Sequence, residues 1–203
     1  MADDLAPQKR ALRAELRERR RIRTRDERAS ASKGITERLV ALTTALGARK
    51  VSCYLSAVDE PDTRPFVNWA RAAGIRVLFP ITRADGLLDW TTATDDDAET
   101  IGLYGTPEPV GELLGPIAIN DVDLIVVPAA AVDEGGMRLG WGRGYYDKTL
   151  GSMERCPPVY GVIFDSELVD EVPRERHDQA IDGVVTPTRT VEFSTRSPRR
   201  RRI

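Results

Sequence analysis

The segment RLGWGRGYYDKTL, residues 138–150, sets glycines at 140, 142 and 144 around Trp141 and Arg143, opens on Arg138, and closes with Tyr145, Tyr146 and Asp147. Glycine lets a backbone approach an anion and present N–H groups to it. The two arginines offer charge for the same ligand, and a helix opening at the tyrosines would add its positive N-terminal end. The chemistry is that of a phosphate site. It is not a Walker loop, because the chain has no G-x-x-x-x-G-K-[ST], and the G-x-G-x-G spacing departs from the dinucleotide fingerprint. Glycines alone also suit a tight strand-to-helix turn, so the weight falls on their combination with arginines, rings and a carboxylate.

Elements around the segment must hold it in place. DVDLIVVP at 121–128 is an apolar run of the kind buried on both faces of a parallel sheet, and a helix is expected from 145. Ligands of α/β proteins bind outside the carboxyl ends of such strands. Upstream, KVSCYL at 50–55 reads as a strand, TRPFVNWARAAG at 63–74 as a helix capped at Thr63 and ended at Gly74, and IRVLFP at 75–80 as a strand. Residues 82–120 are broken by Gly102, Gly105, Pro107 and Pro109 into short strands and loops. PVYGVIF at 158–164 and AIDGVVT at 180–186 complete the strands, the second being the last expected. The alternation predicts a three-layer α/β/α domain with a largely parallel central sheet, over 1–196, with a loose basic tail at 197–203.

The N-terminal region reads as two helices. Residues 8–29 place Leu12 and Leu16, with Arg19 and Ile22, along a thin stripe of a charged rod, which predicts a surface helix docked by few residues. Residues 35–46 repeat Ile35, Leu39, Leu42 and Leu46 at helical spacing, with Gly47 as the stop.

Composition restricts the class. The 203 residues carry 41% hydrophobic and 31% charged side chains and a net charge of −2, ordinary for a soluble globular protein. That balance hides opposite fields: Lys9–Arg38 holds twelve basic and five acidic residues, whereas Ala84–Met137 holds twelve acidic and no basic ones. LIVVPAAAV at 124–132 is too short to span a bilayer and the N-terminus lacks a secretory h-region, so a cytoplasmic location is expected. Cys53 and Cys156 lack ligand spacing and read as reduced structural thiols.

The segment DLIVVPAAAVDEGGMRLGWGRGYYDKTL at 123–150 resembles the signature of the 5-formyltetrahydrofolate cyclo-ligase family. The resemblance extends through KRALR at 9–13, YLSAVDEPDT at 54–63, GTPEP at 105–109 and VPRERHDQAIDGVVT at 172–186. It implies a fold like that of sugar-phosphate isomerases and CoA transferases. It also implies ATP-driven, Mg²⁺-dependent conversion of 5-formyltetrahydrofolate to 5,10-methenyltetrahydrofolate, with ADP and phosphate released. Carried over by position, it puts ATP on Lys9, Arg10, Ala11, Leu12 and Arg13 and on Arg138, Leu139, Gly140, Trp141, Gly142, Arg143, Gly144, Tyr145 and Tyr146. Mg²⁺ falls on Asp147 and Asp178. Folate falls on Leu55, Glu60 and the stretch Trp141, Gly142, Arg143, Gly144 and Tyr145. Arg138, Arg143 and Tyr145 are the expected catalytic contributors.

These placements suit the residue types. Mg²⁺ takes one or two carboxylates plus phosphate oxygens and waters, Lys9 and Arg13 lie one turn apart on a helix, and a carboxylate such as Glu60 can accept paired N–H donors of a pterin. Trp141 serves packing and ring stacking equally well. His177, the only histidine, is read as an exposed turn residue outside the catalytic set. Two other functions are weighed: a sugar-phosphate isomerase or CoA-transferase-like activity on the same fold, and a nucleic-acid-binding module using the basic N-terminal helix. No nucleic-acid or membrane partner is expected, and the protein is expected to be a monomer or weak oligomer.

Overall fold

The computed structural model describes residues 5–92, 98–153, 155–175 and 178–193. His177 and the basic tail at 197–203 therefore lie outside the described residues, as do all but the last three residues of TDDDAET. Two helices come first, α1 (Leu5–Arg21) and α2 (Arg25–Ala45). The expected single helix over 8–29 is thus two, broken at residues 22–24. The reason is a capping box: Thr24 Oγ1 accepts from Glu27 N at 3.3 Å while Glu27 Oε2 accepts from Thr24 N at 2.7 Å. This reciprocal pair satisfies the orphan donors of a new helix start, and α2 then runs without interruption through the second expected helix. Ile22, assigned to the docked stripe, is 68% exposed at the break.

The chain continues through β1 (Lys50–Ser52), α3 (Arg64–Ala72), β2 (Arg76–Thr82), β3 (Leu88–Thr91), β4 (Glu99–Ile101), β5 (Pro107–Pro109) and β6 (Leu113–Leu114). It then forms β7 (Leu124–Pro128), the hairpin β8 (Ala131–Asp133) and β9 (Arg138–Leu139), α4 (Tyr145–Ser152), β10 (Val159–Val162), β11 (Leu168–Val169), β12 (Gly183–Val185) and β13 (Thr190–Glu192). The main sheet has eight strands in the order β13-β12-β10-β7-β1-β2-β3-β6. Its middle, from β12 to β2, is parallel, and the edges β13, β3 and β6 are antiparallel. The sheet is largely parallel as the alternation predicts, but AIDGVVT is not its last strand: β13 returns beside it.

Side chains of β7 alternate between the two faces. Leu124 and Val126 enter the core formed with Ile35, Leu39, Phe66 and Val67 of α2 and α3. Ile125 and Val127 enter the core formed with Tyr145, Tyr146 and Leu150 of α4. Burial on both faces accounts for the unbroken apolar run in the sequence.

Gly34, within α2, lies directly against the backbone of Pro187, where an added Cβ would overlap the carbonyl oxygen. Alanine normally gains up to about 1 kcal/mol over glycine in a helix. Overpacking against rigid backbone costs about 1–3 kcal/mol. Gly34→Ala is therefore expected to destabilise the protein, seen as a lower urea midpoint at an unchanged m-value.

Candidate functional site

β1 hands on to β2 on one side while β7 returns to the other, so the chain reverses direction across the sheet at the β1–β7 junction. Such a switch point opens a crevice at the carboxyl ends of the strands. Here it is a cleft of about 910 Å³, lined by Tyr54 and Leu55 after β1, Pro128 at the end of β7, and the glycine segment. Residues 104–109, the turn before β5 and β5 itself, form another wall, and one side of α1 lines the cleft as well.

The glycine segment is less direct than a strand-to-helix turn. The β8–β9 hairpin intervenes after β7, so Arg138 and Leu139 are strand residues, and residues 140–144 carry the chain into α4. Gly142 (φ +96°) and Gly144 (φ +68°) occupy the left-handed region, which side chains with a Cβ adopt only with strain. Gly144 is also the N-cap of α4, so that helix opens toward the cleft.

Two cations of the cleft are already paired with its carboxylates. Arg138, 7% exposed, donates from Nη2 to Asp147 Oδ1 at 2.9 Å. Lys9 donates from Nζ to Glu175 Oε2 and to Asp178 Oδ2, both at 2.8 Å. Burial alone would lower the Lys9 pKa, but Asp178 and Glu175 outweigh it and hold the ammonium above its ordinary value. Arg13 donates from Nε to Gly140 O at 2.7 Å, with its guanidinium just over Gly142. Arg143 is exposed and lies 3.8 Å from the Tyr104 ring centroid, a cation–π contact across the cleft mouth. Tyr145 donates its hydroxyl to Arg83 O at 2.7 Å, and its ring is 6.4 Å from that of Tyr104.

Asp147 and Asp178, distant in sequence, come to one region of the fold, where the N–H of Gln179, next to Asp178, donates to Asp147 Oδ1 at 3.2 Å. Both residues line the cleft. The hydrogen bonds to Asp147 fall on Oδ1, so Oδ2 carries none among the described residues. Glu60 also lines the cleft, and Ala57 N donates to its Oε2 at 3.0 Å. Burial raises the Glu60 carboxyl above its usual range, against the lowering pull of Ala57 N–H, the Arg20 charge and the nearby Trp141 indole.

Nearly every residue expected at the site lines this one cleft: Lys9, Arg10, Arg13, Leu55, Glu60, all of 138–147, and Asp178. Ala11 and Leu12 do not. Ala11 is exposed, and Leu12 packs beside Leu16, Leu139 and Trp141. Of the expected stripe on α1, Leu12 and Leu16 do dock, but Arg19 and Ile22 are exposed, and the buried residues of the helix are Lys9, Leu16 and Arg20, with Arg13 between them. A charged rod docked by few residues would leave Arg20 in solvent. Arg20 is instead 1% exposed, bound from Nε and Nη2 to the two oxygens of Glu167 at 2.7 Å each, and its Nη2 also reaches Ala129 O at 2.7 Å. Its guanidinium lies 5.0 Å from the Trp141 ring. Tyr54, Tyr104 and Glu175 are further cleft residues that sequence reasoning left out. For Arg20 a signal existed: 9, 13, 16 and 20 follow helical spacing, but three of the four are cations.

Fold and cleft define a class: a doubly wound α/β protein whose polar site, rich in arginine and carboxylate, sits at the switch point of its parallel sheet. Comparison with known proteins narrows it. The chain matches the 5-formyltetrahydrofolate cyclo-ligase family over residues 6–187 and belongs to that family. It is 35% identical to the 5-formyltetrahydrofolate cyclo-ligase of Mycolicibacterium smegmatis over 72% of this chain and 77% of that one. It is 29% identical to the Escherichia coli K12 protein of that name, over 88% of this chain and all of the other. Its fold matches the NMR structure of Aquifex aeolicus 5,10-methenyltetrahydrofolate synthetase with a TM-score of 0.76 at 26% identity, covering 96% of this chain and 97% of that one. Family membership favours the cyclo-ligase reading over the isomerase, CoA-transferase-like and nucleic-acid readings. No helix of the described residues is long and apolar enough to cross a membrane.

Proposed function

We propose that this chain, as one domain over residues 1–196, uses ATP to close 5-formyltetrahydrofolate to 5,10-methenyltetrahydrofolate. The observation that carries the reading is the meeting, in one cleft at the switch point, of Lys9, Arg13, Arg138 and Arg143 with Glu60 and Trp141, inside the span matched to the family. The formyl oxygen attacks the γ-phosphoryl group and ADP leaves; N10 then bonds to the activated carbon, losing its proton, and phosphate departs. No protein nucleophile is required. The residues position two substrates and stabilise charge on the moving phosphoryl group.

In this reading Arg138 and Arg143, with the Gly142 and Gly144 backbone, face the phosphates, and Tyr145 fixes the loop by its bond to Arg83 O. Lys9, Arg10 and Arg13 add charge from α1. Glu60 accepts N–H groups of the pterin, beside Leu55 and Trp141.

Asp147 and Asp178 fit Mg²⁺. Among the described residues no group of three or more His, Cys, Asp or Glu forms a self-contained metal cage. A cation that binds through one or two carboxylates, phosphate oxygens and waters needs none. Bound there, Mg²⁺ would neutralise phosphate charge. Lys9 and Arg138, which hold these carboxylates in the protein alone, would be free to face the nucleotide. A monomer or weak oligomer in the cytoplasm accords with this reading.

The direct test follows absorbance of methenyltetrahydrofolate from 5-formyltetrahydrofolate with and without ATP and Mg²⁺. Product formed only with both supports the reading; none under any condition overturns it. Arg143→Gln separates the ligands: it removes an exposed charge at the loop and is expected to raise the KM for ATP about tenfold, while that for folate changes less than twofold. Equal loss for both would mean the triphosphate lies elsewhere.

A further inference from the structure

Buried polar atoms without partners are rare in native proteins and costly. Among the described residues, four of those belong to the cleft: Arg20 Nη1, Tyr54 OH, Arg138 Nε and Tyr146 OH. All can donate, and their concentration at one place points to a ligand with acceptor atoms.

Tyr54 is the informative member. It follows β1 at the switch point, is 5% exposed, and packs in the core with Val51, Phe66 and Phe79. Phenylalanine would fill the same volume without burying a hydroxyl, so packing does not explain the oxygen. Its surroundings bear on Glu60: Arg20 and Tyr146 are close enough to act electrostatically on the Tyr54 phenol, as is Glu60 itself. Burial pushes that phenol well above its ordinary range, so it stays protonated and available as a donor.

A pterin sets two kinds of group side by side. Its 2-amino group and N3–H donate, and the adjacent 4-oxo group accepts. A carboxylate suits the first pair; a neutral donor next to it suits the second. We propose that the Tyr54 hydroxyl reads the 4-oxo group of the pterin whose N–H edge Glu60 holds, making Tyr54 a specificity-determining substrate contact. This rests on the folate reading above.

Tyr54→Phe removes one oxygen and is expected to fold at least as stably as the wild type. Binding is measured for 5-formyltetrahydrofolate and for its 4-amino analogue, which presents a donor where the oxo group stood. The expected result is about three- to tenfold weaker binding of 5-formyltetrahydrofolate, little change for the 4-amino analogue, and an unchanged KM for ATP. The preference for the oxo compound then shrinks in the variant, an outcome that a merely structural role for the hydroxyl would not produce. Equal loss for the two compounds, or unchanged binding of 5-formyltetrahydrofolate by Tyr54→Phe when the wild type turns it over, overturns this inference alone. A wild type that neither binds nor converts 5-formyltetrahydrofolate overturns the reading beneath it as well.

Discussion

Asp147→Asn is expected to cut kcat/KM for ATP-dependent methenyltetrahydrofolate formation by at least about 100-fold. Outer-shell partners of metal sites typically cost 10–100-fold when removed, and a direct ligand costs more. Asparagine keeps the shape of Asp147 and the Oδ1 acceptor for Gln179 N, and loses the charge. Stability is the competing effect, because Arg138 then sits buried opposite a neutral group. Breaking a fully buried pair costs about 3–5 kcal/mol, but the Asp147 side chain is 17% exposed at the cleft and the amide oxygen still accepts from Arg138. A loss of about 1–2 kcal/mol follows, or a Tm lower by several degrees at most for a chain of this size. Thermal unfolding and steady-state kinetics on one preparation separate the two effects. Near-wild-type turnover would remove Asp147 from the metal set; turnover lost only in proportion to unfolded protein would make its role structural.

How much of this was legible in the sequence depends on where each residue finds its partners. The glycine segment was readable because its chemistry is local: spacing, ring and charge lie within ten residues, and the structure brings every one of residues 138–147 to the cleft. The buried strand β7 was readable from its apolar run. By contrast, α1 turns cations inward, and hydrophobic periodicity treats cations as outward. Their partners, Glu167, Glu175 and Asp178, lie more than 140 residues away, so no local pattern announces them. Two misses were avoidable. Thr24-x-x-Glu27 is a capping box, overlooked within a charged rod that reads as one helix. Asp133-Glu134-Gly135-Gly136 is a turn signal, absorbed into the longer motif, although it closes the β8–β9 hairpin with Gly136 at φ +79°. The short edge strand β13 carries only Thr190–Glu192 and has little pattern to detect.

Glu167→Ala is expected to destabilise the protein by about 3–5 kcal/mol, because it strands a guanidinium that is 1% exposed. It also removes the acceptor of Phe164 N at 2.8 Å, which closes the turn after β10. The pair itself need not be net stabilising. Taking two ions out of water costs about as much as their attraction returns, and replacing both together is often neutral. Arg20→Met with Glu167→Gln should therefore recover most of the loss, since glutamine still accepts from Phe164 N and methionine fills the space above Trp141. Urea titration of the two singles and the double is expected to give a coupling of about 2–3 kcal/mol. Additive losses would show that the two side chains do not act as a unit. The recovered double variant then isolates the functional part. Without the cation, Glu60 loses an influence that opposes its raised pKa, and the Trp141 ring keeps only Arg17 of its two cation contacts. The KM for folate should rise in this stable protein while that for ATP holds. The ion pair would then be retained for the electrostatics around Glu60 and Trp141, with stability its by-product.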